Sequence, residues 1–163
     1  MISLHFNKYP RQRILAQKFL EYGLRTHNQK IYCGVIELAD AKISRAFRVD
    51  RRIIAETINT ITKNEELHRV FSQLQPTCHL KEVAPLMKWG VIEIIPVDAR
   101  TPGILAQVST LVADAGISVR QAIVDDFELS EEPRLVIIAE KQIPGRLIPK
   151  IKQVEGVKAV VIS

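Results

Sequence analysis

The sequence predicts an α+β protein in which a basic helical domain, residues 1–88, precedes a β-α-β-β-α-β domain, residues 89–163. Two observations carry this prediction. Apolar residues recur with helical spacing before Trp89, and short β-branched runs alternate with helical runs after it. The charge changes at the same place, since residues 1–89 hold 15 Lys and Arg against 8 Asp and Glu, whereas residues 90–163 hold 8 against 10. A basic domain joined to a slightly acidic one indicates two tasks, with the basic part facing a polyanion.

Apolar periodicity and capping residues define the elements of the first domain. Helices are predicted at 11–22, at 39–47, from residue 51 onward and from residue 64 onward, with a short helical segment at 80–87 that Pro85 interrupts. Residues 30–38 form either a small strand or a loop, because Gly34 interrupts the β-branched run. The sequence therefore predicts a helical first domain.

The second domain alternates strands and helices. Strands are predicted at 91–97, 117–124, 134–140 and 157–162, and helices at 102–115 and 146–154. An acidic stretch at 125–133 connects the second and third strands as a solvated hairpin. This order is that of the ferredoxin-like split βαβ plan, in which two helices cover one face of a four-stranded antiparallel sheet.

A short helix joined by a tight connection to a longer one, with Asp50 as N-cap of the second helix, predicts a helix-turn-helix. Arg51 and Arg52 fall in the first turn of that second helix, where they oppose the helix macrodipole, and Arg45 and Arg48 lie just before it. Cations at a helix start suit contact with phosphates or guanine edges, so these four arginines are candidate DNA-binding residues. In the alternative interpretation they pair with nearby acids or face water. Those acids are Asp40, Asp50 and Glu56.

Residues 98–106, Asp-Ala-Arg-Thr-Pro-Gly-Ile-Leu-Ala, and 114–118, Asp-Ala-Gly-Ile-Ser, resemble the ACT domain, a small-molecule sensor module of amino-acid metabolism. The resemblance covers residues 91–163. The whole chain resembles an archaeal-type family of predicted regulators of amino-acid metabolism that have an N-terminal helix-turn-helix and a C-terminal ACT domain. This resemblance implies a sensor and regulator.

ACT domains pair edge to edge and bind an amino acid between the first strand-helix turn of one copy and the second-strand start of the other. The resemblance thus implies a homodimer or a higher even oligomer. The implied ligand-binding residues are Asp98, Ala99, Arg100, Thr101, Gly103, Ile104, Leu105 and Ser118. Helix-start N–H groups would accept a carboxylate, and Asp98 would take an α-ammonium group. Alternatively, Pro102 and Gly103 only shape the turn, and the domain only dimerises.

No catalytic constellation is recognisable, so we expect no enzyme and no cofactor. Cys33, Cys78 and the four histidines do not have a metal-ligand spacing, and no metal is expected. The first ten residues have no apolar core of a signal peptide, and no apolar run approaches about 18 residues. These features predict a cytoplasmic protein that does not enter a membrane.

Together the patterns predict an amino-acid-responsive regulator of amino-acid metabolism. In the first interpretation the basic domain binds DNA and the ACT-like domain senses an amino acid, so that the protein is a transcriptional regulator. In the second, the chain is a regulatory subunit that does not bind DNA and docks on a metabolic enzyme. The steepness with which binding weakens as salt rises distinguishes the two.

Overall fold

The computed structural model describes residues 5–163. The chain divides into two compact units, Met1–Cys78 and His79–Ser163, each with its own buried apolar cluster. This division falls earlier than the predicted boundary between residues 88 and 89, because Leu80, Ala84 and Trp89 pack against the sheet of the second unit. The predicted α+β class is confirmed.

The first unit combines four helices with a small antiparallel sheet among its described residues. Its elements are α1 Pro10–Glu21, β1 Leu24–His27, β2 Lys30–Cys33, β3 Ile36–Leu38, α2 Asp40–Phe47, α3 Arg51–Lys63 and α4 Glu65–Phe71. The three strands pair in the order β1-β2-β3. Residues 30–38, predicted as one strand or a loop, thus hold two strands, and the sequence-based prediction did not include β1.

Capping explains where the helices of the first unit begin. Pro10 occupies the first turn of α1, where its missing N–H costs nothing. The Asp50 side chain accepts the Arg52 N–H at 2.7 Å at the start of α3, and the Asn64 side chain accepts the Leu67 N–H at 3.0 Å at the start of α4. These helices and the sheet enclose a core of large apolar side chains, among them Phe6, Leu15, Phe19, Ile31, Ile54, Ile58, Ile61, Leu67 and Phe71.

The second unit contains the predicted β-α-β-β-α-β order, which is confirmed. Its elements are β4 Gly90–Pro96, α5 Ile104–Asp114, β5 Val119–Val124, β6 Leu135–Ala139, α6 Leu147–Lys152 and β7 Val157–Ile162. The strands pair antiparallel in the order β5-β6-β4-β7. Both helices pack on the sheet through one apolar cluster that includes Ile92, Ile94, Ile137, Val108 and Ile151.

The other face of this sheet is covered by the segment that opens the unit. Val91, Val136 and Ile138 are buried there against Ala84, with Leu80 and Trp89 packed alongside. Residues 80–87, predicted as a helical segment, form turns followed by a short 3-10 helix, Pro85–Met87. Pro85 explains the difference, because proline lacks the N–H that an α-helix needs in its interior. Within residues 5–163, every helix is too short or too polar to span a bilayer.

Candidate functional site

The connection between α2 and α3 consists of Arg48, Val49 and Asp50. Arg48 adopts the left-handed conformation, with φ 53° and ψ 44°. The Val49 N–H donates to the Ser44 carbonyl at 3.1 Å, and the Ser44 hydroxyl donates to the Val49 carbonyl at 2.7 Å. Together with the Asp50 cap, these bonds hold both helix ends in one geometry. The chain thus forms an 8-residue helix and a 13-residue helix joined by a fixed three-residue turn.

Helix α3 has one buried face and one exposed face. Ile54, Thr57, Ile58 and Ile61 are buried in the core. The exposed face presents Arg51, Arg52, Ala55, Glu56, Asn59, Thr62 and Lys63. At 100° per residue these seven side chains cover about 140° of the helix circumference, with Asn59 near the middle. The sequence-based prediction named only Arg51 and Arg52 of this set, although the amphipathic period of α3 would have identified the others.

All four predicted DNA-binding arginines are exposed. Arg45 donates from Nε to the Ala41 carbonyl at 3.3 Å. Within residues 5–163, none of Arg45, Arg48, Arg51 and Arg52 joins an ion pair. The alternative pairing with nearby acids is therefore not formed in the part of the chain that is described. Helix α3 has no acidic residue in its first turn, so Arg51 and Arg52 oppose the helix macrodipole there, and the capping Asp50 carboxylate is the negative group at this helix end.

A second candidate site lies at the turn between β4 and α5. The Asp98 carboxylate oxygen Oδ1 accepts the Arg100 backbone N–H at 2.9 Å and Arg100 Nε at 3.4 Å, and the Asp98 carbonyl accepts the Thr101 N–H at 3.0 Å. The Arg100 backbone N–H, assisted by the guanidinium charge, lowers the pKa of Asp98 below its usual value. Asp98 Oδ1, which was expected to take an α-ammonium group, is thus already engaged inside the turn.

The Pro102-Gly103 pair precedes helix α5 and does not form its first turn. The helix begins at Ile104, whereas the prediction began it at residue 102. Gly103 is the N-cap residue with φ 90° and ψ −10°. A residue in this left-handed conformation cannot continue a right-handed helix, and glycine adopts it at little steric cost. The pair therefore turns the chain into the helix.

A cavity of about 120 Å³ lies beside this turn. It is lined by Ile94, Pro96, Ala99, Thr101, Gly103, Ile104, Leu105, Val124, Asp125, Pro133, Arg134 and Leu135. Five of these are predicted ligand-binding residues, namely Ala99, Thr101, Gly103, Ile104 and Leu105. Asp98 and Arg100 belong to the turn but not to the lining.

Ser118 lies at the far end of the sheet from this cavity. In the β5–β6 ladder Val124 is opposite Leu135, which lines the cavity, and Val119 is opposite Ala139. Ser118 precedes Val119, so it stands about 20 Å away at the usual rise per strand residue. Its N–H donates to the Glu140 carboxylate at 3.3 Å. Within one chain, therefore, Ser118 does not join the other predicted ligand-binding residues.

The β5–β6 connection supplies two polar lining residues that sequence reasoning missed, Asp125 and Arg134. The Arg134 N–H donates to Asp125 Oδ2 at 3.1 Å, and the Asp125 N–H donates to the Arg134 carbonyl at 2.9 Å. The pairing of Ile94 with Leu135 brings this connection next to the end of β4. The predicted antiparallel sheet could have identified these residues, because the third strand must begin beside the end of the first when the two strands pair.

No family model and no curated protein matches the chain. Several solved structures resemble it weakly, and they include the following three. The chain is 16% identical to AsnC of E. coli, with a TM-score of 0.33 and coverage of 77% of this chain and 78% of that one. It is 18% identical to PF0864 of Pyrococcus furiosus, a transcriptional regulatory protein of the AsnC family, with a TM-score of 0.28 and 77% coverage of each chain. PH0061 gives 13% identity, a TM-score of 0.29 and coverage of 93% and 88%.

Proposed function

We propose that the chain is a DNA-binding transcriptional regulator that binds duplex DNA through α3 and responds to a small amino acid through its second unit. The observation that carries the first part is the exposed face of α3. Arg51, Arg52 and Asn59 share this face, and neither arginine is in an ion pair within the described residues. Arginine pairs with guanine edges in the major groove and asparagine pairs with adenine, so this face suits sequence readout.

The shape of this face also suits the major groove. Helix α3 has 13 residues, which corresponds to about 20 Å, and the groove is about 12 Å wide. Ala55 is the smallest side chain on the exposed face and permits close approach of the helix backbone to the bases. Arg48, just before the helix, would contact a phosphate, and so would Arg45 in the last turn of α2. Contacts of this kind fix the register of a recognition helix.

The size and lining of the cavity in the second unit favour a small effector. At about 120 Å³ it is well below the 300–1,000 Å³ of typical drug-sized ligand sites, so a nucleotide or a large cofactor does not fit. Its apolar lining is interrupted by the polar groups of Thr101, Asp125 and Arg134. A mixed lining of this kind suits an amino acid with a small apolar side chain.

A two-copy arrangement would bring Ser118 to the predicted ligand-binding residues that line the cavity. Ser118 would reach the cavity of a second copy if sheets pair in a homodimer or a higher even oligomer, because the two ends of the sheet then come together. A dimer would also present two α3 helices to two half-sites about 34 Å apart. An amino acid that binds one arrangement of the two copies more tightly would shift the population toward it and change the fit to DNA.

A selection experiment tests the DNA-binding proposal. The full chain is mixed with a randomised duplex library, bound duplexes are recovered, and the enriched sequence is compared between wild type and Asn59→Ala. We expect an enriched motif, with Asn59→Ala losing about 1–3 kcal/mol of discrimination at one base pair, as for a single bidentate contact. Recovery of random sequence by the wild type would contradict sequence-specific DNA binding.

A thermal-shift screen against the twenty amino acids tests the effector proposal. A ligand at about 100 times its dissociation constant adds roughly 2.7 kcal/mol of stability. We expect one or two amino acids to raise the melting temperature, and Leu105→Trp, in the cavity lining, to abolish the shift. Leu86→Trp is the matched control, because Leu86 is exposed and lies outside the cavity. Equal shifts in both variants would contradict this site.

A specific observation favours the alternative function of docking on a protein. Val35 and Ile36, at the connection between β2 and β3, are 91% and 64% exposed. Two adjacent exposed aliphatic side chains at a hairpin tip suit an apolar protein surface. If the first unit serves this role, then DNA binding is absent at low salt, and Val35→Ser with Ile36→Ser changes association with the partner enzyme without changing the fold.

A further inference from the structure

The N-terminal half of α1 lies beside the C-terminal half of α3. The Thr60 hydroxyl donates to Gln12 Oε1 at 2.8 Å, and the Gln12 side chain is almost completely buried. A buried glutamine that accepts from a neighbouring helix fixes the distance between the two helices at that level. Residues next to Gln12 are therefore close to the end of α3.

One side of α1 faces the helix-turn-helix. At 100° per residue Arg11 lies on the same side of α1 as Lys18 and Tyr22, seven and eleven residues later. The Tyr22 ring is 5.6 Å from the ring of Phe47, the last residue of α2. Arg13 lies on the opposite side, about 200° away from Arg11. Arg11 and Arg13 therefore carry the same charge and belong to the same helix, but only Arg11 lies on the side of α1 that faces the helix-turn-helix.

Arg11 and Lys63 flank the contact between α1 and α3, since Arg11 precedes Gln12 and Lys63 follows Thr60 by three residues. Both side chains are exposed, and neither joins an ion pair within residues 5–163. Helix α1 has no acidic residue in its first turn, so Arg11 opposes the macrodipole there as Arg51 does in α3. Lys63 lies one turn beyond Asn59 on the exposed face of α3. We call Arg11 and Lys63 the distal cations.

The distal cations lie near the C-terminal end of α3, whereas Arg45, Arg48 and Arg51 lie near its N-terminal end. Arg51 and Lys63 are twelve residues apart, which corresponds to about 18 Å along the helix axis. The major groove is about 12 Å wide and is bordered by a phosphate backbone on each side. A helix that lies in the groove with cations at both ends can therefore reach both backbones at once.

We infer that the distal cations, Arg11 and Lys63, contact the phosphates of one strand while Arg45 and Arg48 contact those of the other. This inference rests on the proposed DNA-binding function and extends it to a residue of α1. Each contact releases condensed counterions, so each adds about 0.9 to the dependence of log affinity on log salt concentration. These contacts are independent of base sequence, in contrast to that of Asn59.

Fluorescence anisotropy tests the inference with a labelled 24-base-pair duplex of mixed sequence, titrated between about 50 and 200 mM NaCl. We expect Arg11→Ala combined with Lys63→Ala to make the salt slope shallower by about 1.8 per protomer, equally for two unrelated duplexes. Arg13→Ala combined with Lys141→Ala removes the same charge from exposed positions outside the proposed contact and should keep the wild-type slope. Circular dichroism confirms that each variant is folded.

The outcomes separate the inference from the function on which it rests. A wild-type slope in the Arg11→Ala/Lys63→Ala variant, with binding lost in Arg51→Ala/Arg52→Ala, would overturn the role of the distal cations and keep the DNA-binding proposal. An equal decrease in the control variant would also overturn it, because net charge alone would then explain the effect. A wild type that binds no duplex at low salt would overturn both.

Discussion

Gly156 and Thr101 are in direct contact, so a side chain at Gly156 has no room. A Cβ at Gly156 would lie 2.8 Å from Thr101 Cγ2 and 3.1 Å from Ile104 Cδ1. The Val97 N–H donates to the Gly156 carbonyl at 2.8 Å. The residue before β7 thus holds the turn between β4 and α5, which lines the cavity. The turn before α5 and the turn before β7 therefore meet at this contact.

Gly156→Ala should destabilise the second unit by roughly 2–4 kcal/mol. About 1–2 kcal/mol comes from the left-handed conformation at φ 85°, and the rest comes from the clash with Thr101. Urea denaturation, followed by the fluorescence of Trp89, measures the free energy of unfolding of this unit, because Trp89 is the only tryptophan and lies in it. Gly116→Ala, at φ 68° with no atom within 4 Å of its Cβ, isolates the conformational part. A loss equal to that of Gly116→Ala would contradict the packing role of Gly156.

Arg48→Gly should weaken DNA binding without lowering the stability of the first unit. Arg48 occupies a left-handed position that costs a non-glycine residue roughly 1–2 kcal/mol, so glycine should leave the first unit as stable or about 1 kcal/mol more stable. The same change removes a proposed phosphate contact and should make the salt slope of DNA binding shallower by about 0.9. Circular dichroism melting and anisotropy measure the two effects. A variant that melts lower, or one that binds DNA as the wild type does, would contradict the respective half of this prediction.

Gln29→Gly should stabilise the first unit by about 1 kcal/mol. Asn28 and Gln29 connect β1 to β2 with φ values of 47° and 61°, and His27 pairs with Lys30. A two-residue hairpin with both φ values positive is a type I′ turn, which strongly favours Asn-Gly. Thermal melting by circular dichroism measures the change. Gln17→Gly in the exposed middle of α1 should have the opposite effect, because glycine weakens a helix interior.

Glu93→Gln should reduce stability at neutral pH and remove part of its acid dependence. Burial favours a higher pKa, but Lys81 Nζ at 2.9 Å and Arg134 Nη1 at 3.2 Å outweigh it and lower the pKa of Glu93 below the ordinary 4.5. Because the folded pKa is the lower one, the stabilisation is complete above pH 4.5 and is lost as the pH falls through the folded pKa. The difference between wild type and variant should therefore be about 2 kcal/mol at pH 7 and shrink below pH 4.5. A difference that does not depend on pH would contradict this assignment.

The elements of the second unit follow from its sequence because their signals are local. Short β-branched runs predict the strands, and Gly116 and Gly156 follow the helical runs that precede β5 and β7. The hairpin of β1 and β2 could not be predicted, because Gln29 occupies the second turn position, where glycine would have indicated a type I′ turn. The segment 80–87 was also misassigned, because its apolar residues serve to cover a sheet that lies later in the chain.

The candidate sites were predictable to different degrees. Arg51 and Arg52 stood out because cations at a helix start are locally unfavourable, and the same reasoning extends to Arg11. The relation of Arg11 to Lys63 depends on the contact between Gln12 and Thr60, which are 48 positions apart. Asp125 and Arg134 reach the cavity only through strand pairing, which no local pattern encodes.

The most direct test of the proposed function compares wild type with Arg51→Ala/Arg52→Ala in a DNA titration at two salt concentrations. The wild type should bind a duplex at about 50 mM NaCl and lose affinity steeply by about 200 mM, since several phosphate contacts are broken. The double variant should remain folded and lose most of this binding. A double variant that binds as the wild type does, or wild-type binding that does not change with salt, would contradict the assignment of α3 as the DNA-binding helix.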